Sequence, residues 1–317
     1  MSGSVCITGG AGFIGSHIAE AYLAAGWSVT CVDDLSRGKR HQVPSGATFV
    51  EADIRSDTVR QLLARGGFDV LNHQAAQIDV RVSVDDPATD ASINLVGFAN
   101  LLSGAAQGGV RRVVFASSGG VVYGDPSEIP TPEPTATLPI SPYGVSKLAS
   151  EHYLRVLGTL GGFEGVALRY ANVYGPRQDP KSEAGVVSIF VSRVLAGRPI
   201  TIFGDGEQTR DYVFVRDVAR ASVLASTLPG VSWGTRLDVP AFNIGTGTET
   251  TVNALARQVM ASLGREVAVE HAPPRPGELL RSCLDIRKAA ATLGWRPEVR
   301  FDEGLVALAE WFTETGG

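Results

Sequence analysis

A glycine-rich loop close to the start of the chain restricts the possible folds more than any other stretch. It follows a short apolar strand predicted at residues 5–8 and precedes a helical pattern at residues 13–25. A second apolar strand, at residues 29–32, ends in the acidic pair Asp33 and Asp34. This order of strand, glycine loop, helix and strand predicts a βαβ unit with two parallel strands.

The same alternation continues to about residue 170. Further strands are predicted at residues 48–50, 70–71, 111–116 and 166–169, with helices at 56–65 and about 85–106 and another beginning at Tyr143. The pattern predicts an α/β fold with a doubly wound parallel sheet, the Rossmann arrangement, covered by helices on both faces.

The rhythm changes after residue 170 and divides the chain into two predicted parts. The second half alternates less regularly, with helices near residues 186–196, 217–227, 251–263 and 303–313 and short strands such as 200–203. We predict a Rossmann domain over residues 1–170 and a smaller mixed α/β substrate lobe over residues 171–317. A segment at about 211–245 is expected to return to the first domain. A second lobe above the carboxyl ends of the strands creates a cleft where open α/β sheets bind ligands.

Composition limits the class of partner. The chain has 317 residues, of which 44% are apolar and 19% charged, as in a globular protein dissolved in water. The net charge of −5 is spread without a basic run, which argues against nucleic acid and anionic membranes as partners. Cys6, Cys31 and Cys283 lack the spacing of a metal site and are expected to be buried free thiols. No leader-like or membrane-spanning pattern is present in the sequence. Together with the free thiols, this predicts a cytoplasmic protein.

The glycine loop itself predicts a dinucleotide site. Gly9, Gly12 and Gly15 allow the backbone to turn tightly and to approach a pyrophosphate closely. The pyrophosphate is expected to rest on the start of the following helix, at Phe13 and Ile14.

The acidic pair after the second strand predicts which dinucleotide binds. Asp33, with Asp34 beside it, is expected to accept hydrogen bonds from the adenosine ribose hydroxyls. A carboxylate there repels a 2′-phosphate, so NAD is favoured over NADP, although Arg37 nearby weakens this preference.

Two other strand ends carry candidate cofactor contacts. Asp53 and Ile54 follow the third strand and are expected to touch the adenine, the alternative being that Asp53 caps a helix. His73 is expected to be a structural histidine. The segment after His73 consists of Gln74, Ala75 and Ala76. Its small residues suit the close passage of a cofactor.

Three residue types later in the chain predict hydride-transfer chemistry. Tyr143 and Lys147 are four apart, so they share one face of a helix that Pro142 begins. A neighbouring ammonium is expected to lower the pKa of the phenol and make it a general base. Ser117 or Ser118, at the end of the fifth strand, is expected to bind a substrate oxygen and relay its proton. The alternatives are a surface helix pair and an ordinary Ser/Gly turn; between the serines, Ser118 is slightly favoured.

Together these motifs resemble the extended short-chain dehydrogenase/reductase superfamily. The resemblance rests on residues 8–15, 33–35 and 117–118, on Tyr143 with Lys147, and on 169–177. Within the superfamily the chain is most similar to NAD-dependent UDP-glucose (UDP-galactose) 4-epimerases, over nearly its whole length. The segments 210–213 and 274–278, with Asp217, resemble the nucleotide-sugar site of these enzymes.

The resemblance implies further site residues. The nicotinamide end of NAD is expected to contact Tyr143 and Lys147, and other parts of the cofactor to contact Asn94, Tyr170 and Val173. Arg210 and Arg275 are expected to hold the diphosphate of a UDP-sugar. The substrate contacts implied are Ser118, Asn172, Gly185, Val186, Phe203, Arg210, Tyr212, Arg275, Glu278 and Ser282.

The resemblance also implies a reaction and a partner. It predicts reversible epimerisation at C4 of a UDP-hexose through a transient 4-keto sugar, with Tyr143 as base and Lys147 holding the nicotinamide ribose. Members of the superfamily often form homodimers through a helix bundle that contains the tyrosine helix. The alternatives are a UDP-uronic acid epimerase, a dTDP-sugar enzyme, or an NAD-binding protein without catalysis.

Two departures from related enzymes refine this prediction. Dehydratases and decarboxylases carry an acidic residue after the strand-end hydroxyl, where this chain has Gly119 and Gly120. Members specific for glucose and galactose carry a bulky tyrosine at the position of Ser282, four residues after Glu278. The smaller side chain predicts a pocket that also accepts N-acetylated hexoses.

Overall fold

A computed structural model of the protein describes residues 3–180, 185–229, 240–274 and 279–315. The strands, in chain order, are β1 (Ser4–Thr8), β2 (Ser28–Asp33), β3 (Thr48–Glu51), β4 (Val70–His73), β5 (Arg112–Ser118), β6 (Glu164–Tyr170), β7 (Asn172–Tyr174), β8 (Ile200–Phe203), β9 (Thr209–Arg210), β10 (Tyr212–Phe214), β11 (Ala241–Ile244), β12 (Thr250–Thr251) and β13 (Val269–Ala272). Seven of them form one parallel sheet in the order β11-β6-β5-β4-β1-β2-β3. The predicted doubly wound parallel sheet is thereby confirmed.

Twelve α-helices lie in the part of the chain that the structure describes. They are α1 (Phe13–Ala24), α2 (Asp57–Ala64), α3 (Val80–Asp85), α4 (Pro87–Ala91), α5 (Gly97–Gln107), α6 (Gly119–Val122), α7 (Pro142–Gly161), α8 (Val186–Leu195), α9 (Val215–Thr227), α10 (Val252–Leu263), α11 (Arg287–Thr292) and α12 (Phe301–Thr315). A 3₁₀ turn covers Arg40–Gln42 and a π-helical turn covers Ser92–Val96.

Two of the helix starts show why the sequence places them there. The Ser56 hydroxyl accepts a hydrogen bond from the Val59 amide at the start of α2, as its position predicted. At α7, the Ser141 hydroxyl accepts from the Gly144 amide at 3.1 Å, and Pro142 occupies the first turn. These contacts fix the start of the helix that carries Tyr143.

Apolar side chains fill both faces of the sheet and a separate core in the second half of the chain. On one face α1 and α9 pack on the strands through side chains such as Tyr22 and Val218. On the other face α2, α5 and α7 pack through residues that include Phe98 and Leu154. A third cluster joins α8, α10 and α12. Helices on both faces explain why strands of the sheet read as continuous apolar runs.

The predicted helical stretch at about residues 85–106 is found at residues 87–107, where α4, a π-helical turn and α5 follow one another without a break. The shorter α3 precedes it. Pro87 cannot continue a helix and instead begins α4, where the Asp86 carboxylate accepts a hydrogen bond from the Thr89 amide at 3.0 Å. Insertion of a π turn is frequent near functional sites.

The second half of the chain contributes one strand to the main sheet. Strand β11 pairs with β6, placing Phe242 opposite Leu168. The division into residues 1–170 and 171–317 remains our interpretation of this arrangement.

The proline-rich stretch at residues 125–142 is tied to the second half of the chain. The Thr131 amide donates to the Cys283 carbonyl at 2.9 Å, and the Asp285 amide donates to the Thr131 carbonyl at 3.0 Å. The Asn243 side-chain amide also donates to the Thr131 carbonyl, at 2.9 Å. The loop that leads to Tyr143 therefore has fixed supports on β11 and on residues 283–285.

The three cysteines are free and buried. Burial raises the pKa of each thiol, Cys6, Cys31 and Cys283, to about 12. Among the described residues, no helix has the length and apolar character that crossing a membrane requires.

Candidate active site

The glycine loop is packed tightly against the protein on one side and open on the other. Gly9 has a φ of 71°, a conformation that favours glycine. A Cβ on Gly15 would lie 2.0 Å from the Gly9 carbonyl oxygen, so no larger residue fits there. A Cβ on Gly12 would meet only that same oxygen, at 3.2 Å, and otherwise points into open space. Gly12 is also the N-cap of α1 and supplies no side-chain cap, which leaves the first helix amides at Phe13 and Ile14 accessible to a ligand. This concave backbone fits a dinucleotide pyrophosphate.

Two alanine substitutions separate packing from ligand binding in this loop. Gly12→Ala should leave the melting temperature nearly unchanged but weaken NAD binding about tenfold or more, a loss of ~1.4 kcal/mol, because its methyl group fills the open side. Gly15→Ala should destabilise the fold by about 1–3 kcal/mol, because backbone must move to admit the methyl group. Calorimetric titration with NAD and thermal unfolding measure the two effects. Equal NAD affinities for wild type and Gly12→Ala would contradict the pyrophosphate assignment.

The acidic pair after β2 is divided between two tasks. The Asp33 carboxylate is buried and accepts hydrogen bonds from the Ala11 amide at 3.0 Å and the Leu35 amide at 2.9 Å. Burial raises the pKa of Asp33, and each of its oxygens keeps a lone pair for a ribose hydroxyl. The Asp34 carboxylate accepts hydrogen bonds from the Ser36 amide and hydroxyl, and these bonds close the turn after β2.

The loop after β3 presents a less open carboxylate. Arg55 donates from Nε to both oxygens of Asp53 at 3.0 Å, and the pair lies near the surface. The helix cap is Ser56, so the capping alternative for Asp53 is wrong. The Ile54 side chain is buried in the second core. Adenine contact by these residues stays a prediction.

The end of β4 lies against the glycine loop. A Cβ on Gly9 would come within 2.7 Å of the Ala75 amide nitrogen, which places residues 74–75 beside the loop. Passage of a cofactor along residues 74–76 stays a prediction. The Gln74 side chain donates to Asn72 at 2.6 Å. His73 has a structural environment: its Nδ1 lies 2.6 Å from the Thr8 hydroxyl and its ring stacks on Phe98. Burial holds the pKa of His73 well below its usual value.

The structure separates the two candidate serines. The buried Ser117 hydroxyl donates to Glu151 Oε1 at 2.6 Å. Glu151 in turn is held by Arg169, whose Nε and Nη2 donate at 2.9 and 2.7 Å. Ser118 is half-buried, stands at the junction of β5 and α6, and makes no side-chain cap bond there. This geometry favours Ser118 as the hydroxyl that meets substrate.

Tyr143 and Lys147 lie together at the carboxyl end of β5. The Lys147 ammonium nitrogen lies 5.7 Å from the centre of the Tyr143 ring. The same nitrogen donates to the Ala116 carbonyl at 2.8 Å, two residues before Ser118. The first turn of α7 also carries Gly144, where a Cβ would come within 2.9 Å of the Val121 carbonyl oxygen in α6. The predicted pair therefore lies beside the strand end that supplies Ser118.

The expected lowering of the Tyr143 pKa by Lys147 is wrong for the chain without cofactor. Burial of the phenol and the negative charge of Asp90 raise the pKa of Tyr143 above its usual value. Burial also lowers the pKa of Lys147 to about 8, while Asp90 opposes that shift. Desolvation is the largest cause of both shifts.

Other predicted contacts of the cofactor are bonded within the protein. The Asn94 side chain donates to the Gln77 carbonyl at 3.0 Å and accepts from the Gln77 amide at 3.0 Å. The buried Tyr170 hydroxyl lies 3.3 Å from the Ser222 hydroxyl. Val173 is half-buried in β7. Their cofactor contacts stay predictions.

The predicted substrate residues of the second half of the chain lie on several segments. Asn172 in β7 pairs with Tyr212 in β10, next to Arg210, whose Nη1 donates to the carbonyls of Thr209 at 2.7 Å and Leu279 at 2.9 Å. Leu284, two residues after the half-buried Ser282, packs on Gly119, where a Cβ would lie 2.5 Å from its Cδ1. The remaining described members begin α8 or end β8, namely Gly185, Val186 and Phe203. Arg275 and Glu278 lie outside the described residues.

Sequence reasoning gave Asp217 the wrong setting and missed three buried polar residues. Asp217 accepts from the Glu298 and Val299 amides at 3.0 and 3.1 Å, so it supports the chain before α12 and does not face the cleft. The residues given no role are Asp90, Glu151 and Asp211, the last of which falls within the quoted segment 210–213. Glu151 was detectable, since it continues the four-residue spacing of Tyr143 and Lys147. Asp90 is bonded by Asn94 four residues on, but its contact with Ser146 and the contacts of Asp211 with Thr246 and Leu284 join distant segments.

Comparison with known proteins places this site in a family. The profile of the NAD-dependent epimerase/dehydratase family matches residues 5–245, from β1 past the end of β11. The chain belongs to the NAD-dependent epimerase/dehydratase family. The match takes in the glycine loop, Ser118, Tyr143 and Lys147.

Three solved structures resemble the chain over its whole length. The UDP-glucose 4-epimerase of Thermotoga maritima with UDP-glucose is 42% identical with a TM-score of 0.93, covering 99% of this chain and 100% of that one. The UDP-glucose 4-epimerase of Thermus thermophilus with NAD is 45% identical with a TM-score of 0.89, covering 98% and 99%. The UDP-N-acetylglucosamine 4-epimerase of Methanobrevibacter ruminantium with UDP-N-acetylmuramic acid is 32% identical with a TM-score of 0.91, covering 99% and 99%.

Proposed function

We propose that the protein is an NAD-dependent UDP-glucose 4-epimerase, an isomerase that interconverts UDP-galactose and UDP-glucose. The observation that carries the proposal is the position of Tyr143 and Lys147 beside the carboxyl end of β5. The glycine loop opens at the same edge of the sheet. Similarity at 42% and 45% identity to two enzymes of this name supports the substrate.

The residues proposed to bind the cofactor lie on the open side of the glycine loop and at the end of β2. Gly12 and the amides of Phe13 and Ile14 would hold the pyrophosphate, and Asp33 the adenosine ribose. Lys147 would hold the nicotinamide ribose. Bound NAD supplies reversible hydride acceptance at C4 of the sugar and a positive charge close to Tyr143.

The proton is handled by the side chains at the end of β5. Tyr143 as phenolate takes the proton of the C4 hydroxyl, directly or through the Ser118 hydroxyl, and returns it after the 4-keto sugar has turned over in the cleft. The raised pKa of Tyr143 in the cofactor-free chain means that its own surroundings do not ionise it. Base strength therefore depends on positive charge that arrives with the ligands.

The strand end also argues for epimerisation over dehydration. Elimination of water from a sugar requires an additional acid and base near the reacting carbons. Gly119 and Gly120 follow Ser118, and Glu151 nearby is bound to Arg169 and Ser117. The end of β5 thus supplies the Ser118 hydroxyl, and the two glycines after it supply no carboxylate.

Conversion of UDP-galactose tests the proposal. Purified protein should form UDP-glucose without added reductant and without net change in NAD. Steady production of NADH would indicate a dehydrogenase, and absence of any product with UDP- and dTDP-hexoses or UDP-uronic acids would contradict the enzyme class.

The substrate is further proposed to include the N-acetylated UDP-hexoses. Ser282 is half-buried and small, and a UDP-N-acetylglucosamine 4-epimerase is among the similar structures. Ser282→Tyr should reduce kcat/KM for UDP-N-acetylgalactosamine at least about tenfold, with little change for UDP-galactose, because the ring fills the space beside C2. Rejection of N-acetylated substrates by the wild type would contradict this extension.

A homodimer in the cytoplasm completes the proposal. Helix α7 exposes four large apolar side chains at spacings of eight, three and four residues, namely Val145, Tyr153, Val156 and Leu160. Val96, at the end of the π-helical turn before α5, is also exposed. An exposed apolar surface of this kind suits a second copy of the same helix pair. The free buried thiols fit a reducing compartment. Sedimentation equilibrium at twice the chain mass is the expected result, and a monomer at micromolar concentration would contradict it.

A further inference from the structure

Asp90 is a fully buried carboxylate near the two residues that carry the proposed chemistry. It lies in α4, and its side chain is bonded by three neutral donors. Gln77 Nε2 donates to Oδ1 at 3.0 Å, Asn94 Nδ2 donates to Oδ1 at 2.9 Å, and the Ser146 hydroxyl donates to Oδ2 at 2.6 Å. Three donors satisfy a carboxylate in its charged form, and none of them cancels the charge.

These contacts hold the first turns of α7 in place. Ser146 lies between Tyr143 and Lys147, so the bond to Asp90 fixes the helix at the functional turn. Two weaker contacts run in parallel: the Tyr143 amide donates to the Ser83 hydroxyl at 3.1 Å, and the Ser150 hydroxyl donates to the Asn94 carbonyl at 3.2 Å. The segment that includes the π-helical turn therefore supports α7 along two turns.

Few other charges face this pair in the described part of the chain. Strand β4 contributes His73, which is buried and whose pKa is held low, so that it is neutral near pH 7. Strand β5 and helix α6 contribute hydroxyl and apolar side chains. Helix α3 contributes the Ser83 hydroxyl, and its Arg81 and Asp85 are exposed. Its N-cap Asp79 is half-buried, and its carboxylate accepts hydrogen bonds from the Arg81 and Val82 amides. The next carboxylate on α7, Glu151, is paired with Arg169. Of these groups, Asp90 is the fully buried carboxylate that is bonded by neutral donors, and its charge acts on both Tyr143 and Lys147.

The sign of its effect follows from Coulomb's law. A buried negative charge favours the ammonium form of Lys147 and disfavours the phenolate form of Tyr143. Burial alone would drive Lys147 towards the neutral amine, whereas the proposed function requires an ammonium beside the nicotinamide ribose.

We propose that Asp90 is a positioning residue that fixes the start of α7 through Ser146 and keeps the buried Lys147 protonated. The proposal rests on the proposed function for its purpose, but the charge it assigns to Lys147 is a property of the protein alone. Asp90 touches neither cofactor nor substrate and acts through the tyrosine helix.

The titration of Lys147 tests the electrostatic part without any assay of activity. Protein labelled with ¹³C at the lysine ε carbon gives an NMR signal that Lys147→Arg identifies by its loss. In the wild type, with and without NAD, this signal should report an ammonium at pH 7. In Asp90→Asn the titration should move to lower pH by about 1 unit or more, the shift typical of a nearby opposite charge. A neutral Lys147 in the wild type, or an unmoved titration in folded Asp90→Asn, would overturn the proposal.

The pH profile of epimerisation provides a second readout. Loss of the charge lowers the pKa of both Tyr143 and Lys147, so both limbs of the kcat profile should move to lower pH in Asp90→Asn. Ser146→Ala is the matched control: it removes a hydrogen bond and keeps the charge, so both limbs should stay in place whatever happens to kcat. Displacement of the limbs in Ser146→Ala to the same extent would show a structural role only and overturn the electrostatic assignment.

Folding of the variants is checked by thermal unfolding. If Asp90→Asn does not fold, Asp90→Ser supplies a smaller neutral side chain with room for water, and the wild-type titration still decides the charge of Lys147. A shifted titration in a protein that proves to have no epimerase activity would support the electrostatic role and contradict only the proposed function.

Discussion

Tyr143→Phe should reduce kcat by roughly 10²–10⁴-fold, the contribution typical of a positioned general base. The substitution removes one oxygen and leaves the ring, so the contact of Lys147 with the ring and the start of α7 should persist. NAD affinity and melting temperature should therefore change little. Single-turnover rates with UDP-galactose, together with NAD titration, measure both parts of the prediction.

The two serines serve as internal controls for the same site. Ser118→Ala should lower kcat and leave stability unchanged, because the half-buried hydroxyl is the candidate relay. Ser117→Ala should lower stability more than kcat, because it removes a buried bond to Glu151. A near-normal kcat for Tyr143→Phe would exclude Tyr143 as the base, and a reversed order of the serine effects would exchange their roles.

Glu151→Leu should destabilise the fold by about 3–5 kcal/mol, the cost of leaving a buried charge without its partner. Arg169 is buried and donates two hydrogen bonds to Glu151, at 2.9 and 2.7 Å, and a third to the Tyr123 hydroxyl at 2.8 Å. Removal of the carboxylate leaves the guanidinium enclosed with only neutral acceptors. Urea unfolding at constant pH measures the loss.

The double variant Glu151→Leu/Arg169→Met separates an unpaired charge from lost packing. Replacement of both charged groups by apolar ones of similar size is often close to neutral, so the double variant should recover most of the lost stability. A double variant as unstable as Glu151→Leu alone would show that the polar contacts of Ser117 and Tyr123 account for the loss. It would also reduce the role assigned to the ion pair.

The sheet could be predicted from the sequence because its strands and helices alternate with clear local signals. Apolar runs, Ser56 at a helix start and the glycine loop each depend on a few neighbouring residues. The helical stretch after Pro87 was predicted to within two residues, but α3 was missed because it has only six residues and ends just before Pro87. The joining of β11 to β6 brings together residues about seventy positions apart, which local patterns mark only weakly.

The site was predicted where motifs are local and missed where charges meet through the fold. Tyr143 and Lys147 were found by their spacing, but the effect of burial and of Asp90 on the phenol reversed the expected direction of its pKa. The choice between Ser117 and Ser118 needed the position of Glu151, which lies on a different element. Desolvation and long-range charge depend on what surrounds a side chain, and spacing does not encode them.

The burial of all three cysteines has a practical consequence for following sugar turnover in solution. A thiol with a pKa of about 12 holds almost no thiolate at neutral pH, so Cys6, Cys31 and Cys283 should be inert to maleimides in the folded protein. The native chain is therefore a ready background for site-directed labelling. A single cysteine introduced at Leu280, which is 73% exposed close to Ser282, would carry a fluorophore beside the proposed pocket without removal of any native residue that packs the core.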